Sequence, residues 1–187
     1  MSIINYLKIF IFISILFIIS CNKYKSPLES HPTSNLIKNS SFEENGQPSL
    51  KYWYIQDSSK IKFSNDTPAD GGKWSIYLHA EWYGPLPKSP SYFVPLSPGR
   101  HMLEFSVYGK SKTVPGSSLL ILKKGDERQV EAQLLIADST WTKYSLIDTL
   151  NINEGDSLFV LLYGGGTEVV DGITYFDLVE LKQIAAE

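Results

Sequence analysis

Apolar and polar side chains alternate in short stretches along the chain after residue 34. The clearest stretch is 101–108, where every second residue is apolar. Because successive side chains of a β-strand point to opposite faces, this spacing predicts a strand with one buried face and one exposed face. The predicted buried side chains are Leu103, Phe105 and Val107, and the predicted exposed ones are Glu104, Ser106 and Tyr108.

Residues 129–136 repeat the same alternation. A one-residue slip in register would exchange the two faces of such a strand, so the assignment depends on an uninterrupted period of two. The predicted inward side chains are Val130, Ala132, Leu134 and Ile136, and the predicted outward ones are Glu131 and Gln133.

Further short runs rich in Val, Ile, Leu, Phe and Tyr are separated by Gly, Pro, Asn and Asp, which favour turns. They predict strands at 51–56, 60–63, 74–79, 91–94, 117–123, 142–148, 157–163 and 173–181. No amphipathic helix pattern lies between them to connect parallel strands. About ten strands in roughly 150 residues indicate an all-β domain, an antiparallel β-sandwich of the jelly-roll kind.

The first residues have a different character. A nearly unbroken apolar run at 9–19 follows Lys8 and ends at Ser20 and Cys21. The run is shorter than the ~20 apolar residues of a spanning helix, so a cleaved signal peptide is the preferred interpretation and an uncleaved helical anchor the alternative. Ile18-Ile19-Ser20-Cys21 also resembles the lipobox of bacterial lipoproteins, which implies that Cys21 is lipidated.

The predicted organisation is therefore a signal peptide at 1–20, a lipidated flexible tether at 21–34 and one domain at 35–187. The tether is polar and contains two prolines, which suits a flexible linker. This places the protein in the bacterial cell envelope, with a membrane as partner through the lipid and the domain outside the cytoplasm. Cys21 is the only cysteine, so lipidation would leave no disulfide and no thiol chemistry.

Composition narrows the range of partners. The formal net charge is −3 and 13% of the residues are aromatic. A mildly acidic chain has no field that attracts phosphate backbones, so no nucleic-acid partner is expected.

The segment 35–43 reads Asn-Leu-Ile-Lys-Asn-Ser-Ser-Phe-Glu and is followed by Trp53. This segment resembles the opening of carbohydrate-binding modules of families 4 and 9, and 71–78 and 174–181 are similar to the central and closing strands of those modules. Ser40 and Leu178 depart from the pattern, and Leu178 stands where a second acidic residue is usual. The resemblance implies a galactose-binding-like jelly roll with a non-catalytic, carbohydrate-binding role.

The same resemblance implies a structural calcium ion. Its ligands would be the carboxylates of Glu43 and Asp177 and backbone carbonyls near Gly71 and Lys73, which are the oxygen ligands that calcium prefers. The alternative is that the two carboxylates cap turns and face water.

A proline-rich stretch at 80–93 carries the aromatic residues Trp82, Tyr83 and Tyr92. Sugar rings have flat C–H faces that stack on aromatic rings, so such a stretch beside a polar sheet face predicts a platform for a polysaccharide or glycan. The sheet-face residues predicted to contribute are Glu104, Ser106, Tyr108, Glu131, Gln133 and Tyr163. Trp53 and Trp141 are instead predicted to be core residues.

Two other functions remain open. The same fold could serve a structural or protein-interaction lipoprotein with partners in the envelope. A hydrolase is the weaker alternative: the segment Gly155-Asp-Ser-Leu158 spells a serine-esterase motif, but it opens a late strand with no predicted base or oxyanion hole nearby. Ser157 is therefore interpreted as a turn residue, and no enzymatic activity is expected.

Overall fold

The computed structural model describes residues 34–80, 89–166 and 170–186. Cys21, with the predicted signal peptide, and the aromatic pair Trp82 and Tyr83 lie outside the described residues. The strands are β1 (Glu43–Glu44), β2 (Gln47–Pro48), β3 (Ile61–Ser64), β4 (Ser75–Ala80), β5 (Ser91–Val94), β6 (Gly99–Ser111), β7 (Gly116–Lys124), β8 (Glu127–Ile136), β9 (Thr142–Ile152), β10 (Ser157–Tyr163) and β11 (Gly172–Ala186). A short 3-10 helix, Ser58–Lys60, precedes β3.

Two antiparallel sheets form the domain. One has four strands in the order β5-β10-β7-β8, and the other has five in the order β3-β4-β11-β6-β9. The small hairpin β1-β2 stands apart from both. The prediction of an all-β antiparallel sandwich with a jelly-roll fold is confirmed. None of the helices in the described residues has the length and apolar character needed to cross a membrane.

The hydrophobic core lies between the two sheets. Leu120 and Val160 enter it from the four-stranded sheet, and Phe105 and Phe176 from the five-stranded sheet, and all four are fully buried. The predicted inward residues of β6, including Phe105, are all at 0% exposure, which confirms that register. Truncating a ring such as that of Phe105 would cost about 3–5 kcal/mol of stability.

The first and last segments of the domain lie side by side. The Asn35 side chain donates to Val179 O and accepts from Leu181 N at 3.0 Å. Leu36 N donates to Leu181 O at 2.8 Å. The amide of Asn35 thus connects the opening segment to β11.

Two local predictions are wrong. Residues 51–56 are not a strand, because Trp53 N bonds Leu50 O in a turn and Tyr52 has φ 74, a left-handed conformation that interrupts an extended chain. Only Tyr54 makes an isolated bridge, to Ser91. Trp141 is half-buried, and its indole N–H donates to Asp66 outside the core.

The register of β8 also differs from the prediction. Leu120 pairs with Ala132 but the next residue, Ile121, pairs with Val130, so Glu131 is the extra residue of a bulge. The bulge turns Val130 outward, where it is 50% exposed, while Ala132, Leu134 and Ile136 stay inward as predicted.

Candidate functional site

The sandwich has two outer faces with different chemistry. The aromatic face is the outer surface of the four-stranded sheet with the adjoining Tyr54, and the polar face is the outer surface of the five-stranded sheet. By strand alternation the aromatic face is formed by Tyr54, Ser91, Phe93, Ser117, Leu119, Ile121, Lys123, Arg128, Val130, Gln133, Leu135, Ser157, Phe159, Leu161 and Tyr163.

Apolar side chains form the centre of the aromatic face. Leu119, Ile121 and Leu161 make a small buried cluster, against which Tyr163 packs. Phe93 and Phe159 meet edge to face with ring centroids 5.6 Å apart. Tyr54 lies beside them, 66% exposed. Large rings left accessible next to a firm apolar floor are typical of a recognition surface.

A groove of about 270 Å³ opens on this face. Its volume is near the lower end of the range for small-molecule sites, roughly 300–1,000 Å³. The groove is lined by Tyr54, Gln56, Ser89, Ser91, Ile121, Lys123, Arg128, Phe159 and Leu161. Apolar walls, two aromatic rings and a few polar side chains are the composition that binds and orients a small polar ligand.

The polar face satisfies its polar groups internally. Lys110 is ion-paired with Asp66, and its ammonium lies 5.1 Å from the Trp141 ring centroid and 4.9 Å from that of Tyr175. The Asp66 carboxylate also accepts from Trp141 Nε1 at 2.9 Å. The hydrogen bond from Lys110 keeps the pKa of Asp66 below its usual value. These contacts fasten the segment after β3 to the sheet.

The sheet-face residues predicted to bind sugar do not share one face. Gln133 and Tyr163 lie on the aromatic face, where Gln133 Nε2 donates to Ser117 Oγ at 2.8 Å. Glu104 and Tyr108 lie on the polar face, on the other side of the sandwich. The prediction that these residues share a single polar sheet face is therefore wrong, because β6 and β10 belong to different sheets.

Two other predicted contact residues are buried. Tyr92 is 5% exposed and packs on Trp53, and its hydroxyl bonds Leu36 O and Lys38 N. Alternation in β5 turns Tyr92 inward and Phe93 outward, so Phe93 is the residue that a ligand can reach. Ser106 is 1% exposed, because it lies between β9 and β11 with its hydroxyl toward Glu180.

Glu43 and Asp177 come together beneath the loop that leads into β4. Glu43 Oε2 accepts from Lys73 N at 3.0 Å and Trp74 N at 3.1 Å. A Cβ atom on Gly71 would overlap Asp177 Oδ2, and one on Gly72 would overlap Glu43 Oε1. Only glycine leaves room for the two carboxylates at this loop.

The Asp177 carboxyl is fully buried. Its Oδ1 accepts from Leu178 N at 2.8 Å, but Oδ2 has no hydrogen-bond partner among the described residues. Burial, together with the negative charge of Glu43, raises the pKa of Asp177 to about 8 against the opposing effect of the Leu178 N–H. Two close carboxyls, one with an unpartnered buried oxygen, suit a hard cation with oxygen ligands. No group of three or more His, Cys, Asp or Glu that could hold a metal occurs in the described ranges.

Sequence reasoning missed Tyr54, Phe159, Lys123 and Arg128 as groove residues. A usable signal was present in residues 119–122, which are apolar at four consecutive positions. Such a run indicates a strand that is apolar on both faces. An apolar outer face on a two-sheet sandwich indicates a surface that contacts something other than water. Tyr54 had no such signal, since only the bridge to Ser91 places it at the groove.

Comparison with known proteins gives matches at the level of structure. No protein-family model matches the chain. No curated protein matches its sequence. The CBM22-1 xylan-binding domain of Xyn10C from Paenibacillus barcinonensis is similar with a TM-score of 0.54 and 17% identity, covering 82% of this chain and 96% of that domain.

Two further modules are similar to this chain. TmCBM61, solved in complex with β-1,4-galactotriose, has a TM-score of 0.51 and 16% identity over 80% of this chain and 98% of its own. A family 16 carbohydrate-binding module has a TM-score of 0.51 and 19% identity over 79% of this chain and 99% of its own. These neighbours are carbohydrate-binding modules, and the likeness establishes a shared jelly-roll fold. The resemblance to families 4 and 9 stays a prediction.

Proposed function

We propose that this protein is a non-catalytic glycan-binding lipoprotein whose ligand lies on the aromatic face. The observation that carries the proposal is the groove of about 270 Å³ with the rings of Tyr54 and Phe159 in its wall. Pyranose rings stack their C–H faces on such rings, and their hydroxyls bond polar side chains around them.

The polar groups around the groove support this function. Gln56, Ser89 and Ser91 line it together with the rings. Amide and hydroxyl side chains both donate and accept hydrogen bonds, as sugar hydroxyls require. The CBM22-1 xylan-binding domain and TmCBM61, which was solved with β-1,4-galactotriose, have the same fold. This supports a saccharide ligand rather than another small polar molecule.

A binding role without catalysis also fits the groove lining. Glycoside hydrolysis requires two carboxyl groups flanking the scissile bond. Among the residues that the structure describes, those lining the groove include no Asp or Glu. Ser157, in the esterase-like segment, opens β10 directly after a turn at Gly155, whose φ is 86.

Membrane attachment forms the second part of the proposal. Cys21, after its apolar run, would carry the lipid, and the polar stretch to residue 34 would separate the domain from the membrane. Replacing Cys21 with Ser is expected to move the protein from the membrane fraction to the aqueous fraction. Unchanged membrane retention of that variant would favour an uncleaved helical anchor.

We also propose that Glu43 and Asp177, with backbone carbonyls near Gly71 and Lys73, hold a calcium ion in a structural role. The ion would neutralise two close carboxyls and supply a partner for Asp177 Oδ2, which has none among the described residues. The site lies next to β11 of the five-stranded sheet, so it would stabilise the loop and the sheet rather than contact the ligand.

Binding can be tested on residues 32–187, which form one compact unit. A glycan array should identify bound saccharides, and isothermal titration should give their affinities. Tyr54→Ala is expected to weaken binding, while Ile147→Ala, at a 63% exposed apolar residue of the polar face, should leave it unchanged. Silence across the array, combined with capture of envelope proteins through the aromatic face, would favour the protein-interaction function.

A further inference from the structure

One end of the groove is positively charged. Lys123 on β7 and Arg128 on β8 are the charged residues among the described ones that line it. They are direct cross-strand partners in the β7-β8 pairing. On the opposite side of β7, Lys123 pairs with Ser157 of β10. In its described part, the groove thus combines an aromatic wall with two adjacent cations and no carboxylate.

This pair of cations costs stability in the absence of a ligand. Like charges directly opposite on neighbouring strands repel each other. Neither Lys123 nor Arg128 forms an ion pair with another described residue, whereas lysines elsewhere in the domain do, as Lys110 with Asp66 and Lys182 with Glu180 show. The unbalanced pair is explained if the ligand itself supplies the negative charge.

The spacing from the aromatic wall suits a charged sugar. Phe159 pairs with Ile121, two residues before Lys123 on the same strand and face. A diagonal neighbour of this kind lies about 7–8 Å away by backbone position, and a lysine side chain can span that distance. A pyranose ring stacked on Phe159 would therefore place a ring substituent within reach of Lys123, and Arg128, the partner of Lys123 on the next strand, lines the same groove.

We propose, resting on the glycan-binding function above, that the groove selects an acidic glycan whose ring oxyanion contacts Lys123 and Arg128. A uronate carboxylate and a sulfate ester both supply that oxyanion. Arginine binds either group through two parallel hydrogen bonds, and lysine adds a point charge.

The test compares matched ligands by isothermal titration on residues 32–187. Oligogalacturonate and its methyl ester have the same rings and differ in charge, and a sulfated galactan oligosaccharide presents the other oxyanion. We expect at least about tenfold tighter binding of one acidic ligand than of the methyl ester, reduced by added salt. Which acidic ligand binds distinguishes carboxylate from sulfate.

Variants connect this preference to the two cations. Lys123→Gln and Arg128→Gln should each reduce acidic-ligand affinity and leave the weak binding of the methyl ester unchanged. Lys124→Gln is the matched control, because Lys124 is a neighbouring exposed lysine that does not line the groove. Full retention of the charge preference in the Lys123→Gln, Arg128→Gln double variant would overturn the assignment.

Two further outcomes separate this inference from the proposed function. Equal or tighter binding of neutral glycans would overturn the acidic preference and leave glycan binding intact. Failure of every acidic and neutral glycan to bind would overturn both. Thermal unfolding of each variant, compared with the unaltered domain, shows that a lost affinity does not come from a lost fold.

Discussion

The two outer faces of the sandwich differ in how their side chains are satisfied. On the polar face, Lys110, Asp66 and Trp141 bond one another, and Lys143 and Lys182 approach Glu180 at 3.7 and 2.9 Å. On the aromatic face, exposed rings surround a groove whose two cations have no ion-pair partner among the described residues. The difference indicates that the polar face completes its own contacts, whereas the aromatic face leaves contacts for a ligand to complete.

The largest expected effect comes from removing a ring of the aromatic face. Phe159→Ala should lower glycan affinity about 10–100-fold, because the ring provides apolar area that the sugar covers. Isothermal titration with the best ligand from the array measures the change. Since Phe159 packs on Phe93, the more exposed Tyr54→Ala serves as the second variant.

The polar face supplies the matched control for that experiment. Ile147→Ala removes an exposed apolar side chain there. An affinity loss of similar size in Ile147→Ala would show that the two faces do not differ in ligand contact, and would contradict the assignment.

An intermediate effect is expected at the Glu43–Asp177 pair. Saturating calcium should raise the unfolding temperature of the unaltered domain by about 5–10 °C, since binding to the folded state alone stabilises it. Asp177→Asn should lose this response and should be more stable than the unaltered domain without calcium, because the raised pKa of Asp177 means that folding near neutral pH requires the carboxyl to take up a proton, which an amide does not need. Differential scanning calorimetry with and without calcium measures both changes.

Glu44→Gln is the control for the calcium response. Glu44 is adjacent to Glu43 but forms an exposed ion pair with Lys51. Its variant should keep the full calcium response. A calcium response that survives in Asp177→Asn, or that is absent from the unaltered domain, would contradict the proposed ion site.

The smallest effect is expected at the Asp66–Lys110 ion pair. Because Lys110 lowers the pKa of Asp66 in the folded domain, the pair stabilises the fold above the unfolded-state pKa and loses this contribution as the pH falls through the lower folded value. Asp66→Asn should therefore cost below about 1 kcal/mol near neutral pH, as for other exposed pairs, and less near pH 3. Urea unfolding at the two pH values measures the difference, and a constant cost would exclude this origin.

Strand alternation predicted the interior well and the outer faces poorly. Leu103, Phe105 and Val107 followed the period of two because both neighbours of β6 extend the same sheet. Val130 escaped it because a bulge adds Glu131, and no local pattern marks a bulge that depends on the partner strand. Alternation shows which side chains of a strand share a face, but not to which sheet the strand belongs. For this reason the prediction assigned Tyr108 and Tyr163 to one surface, although they lie on different sheets.

The candidate sites likewise include residues that the sequence identified and residues that it could not place. The family resemblance named Glu43 and Asp177, which are 134 positions apart in the sequence, and the structure brings both to the glycine loop at 71–72. Local sequence could not place Tyr54 at the groove, because its position depends on one bridge to Ser91, which is 37 positions away in the sequence. Functional surfaces of this kind arise from pairings between distant segments.

An NMR titration of residues 32–187 with the bound glycan tests most directly whether the aromatic face holds the ligand. We expect the amide and side-chain shifts to concentrate around Tyr54, Phe159, Lys123 and Arg128 on the aromatic face. Shifts concentrated around Glu104 and Tyr108 on the polar face would contradict it.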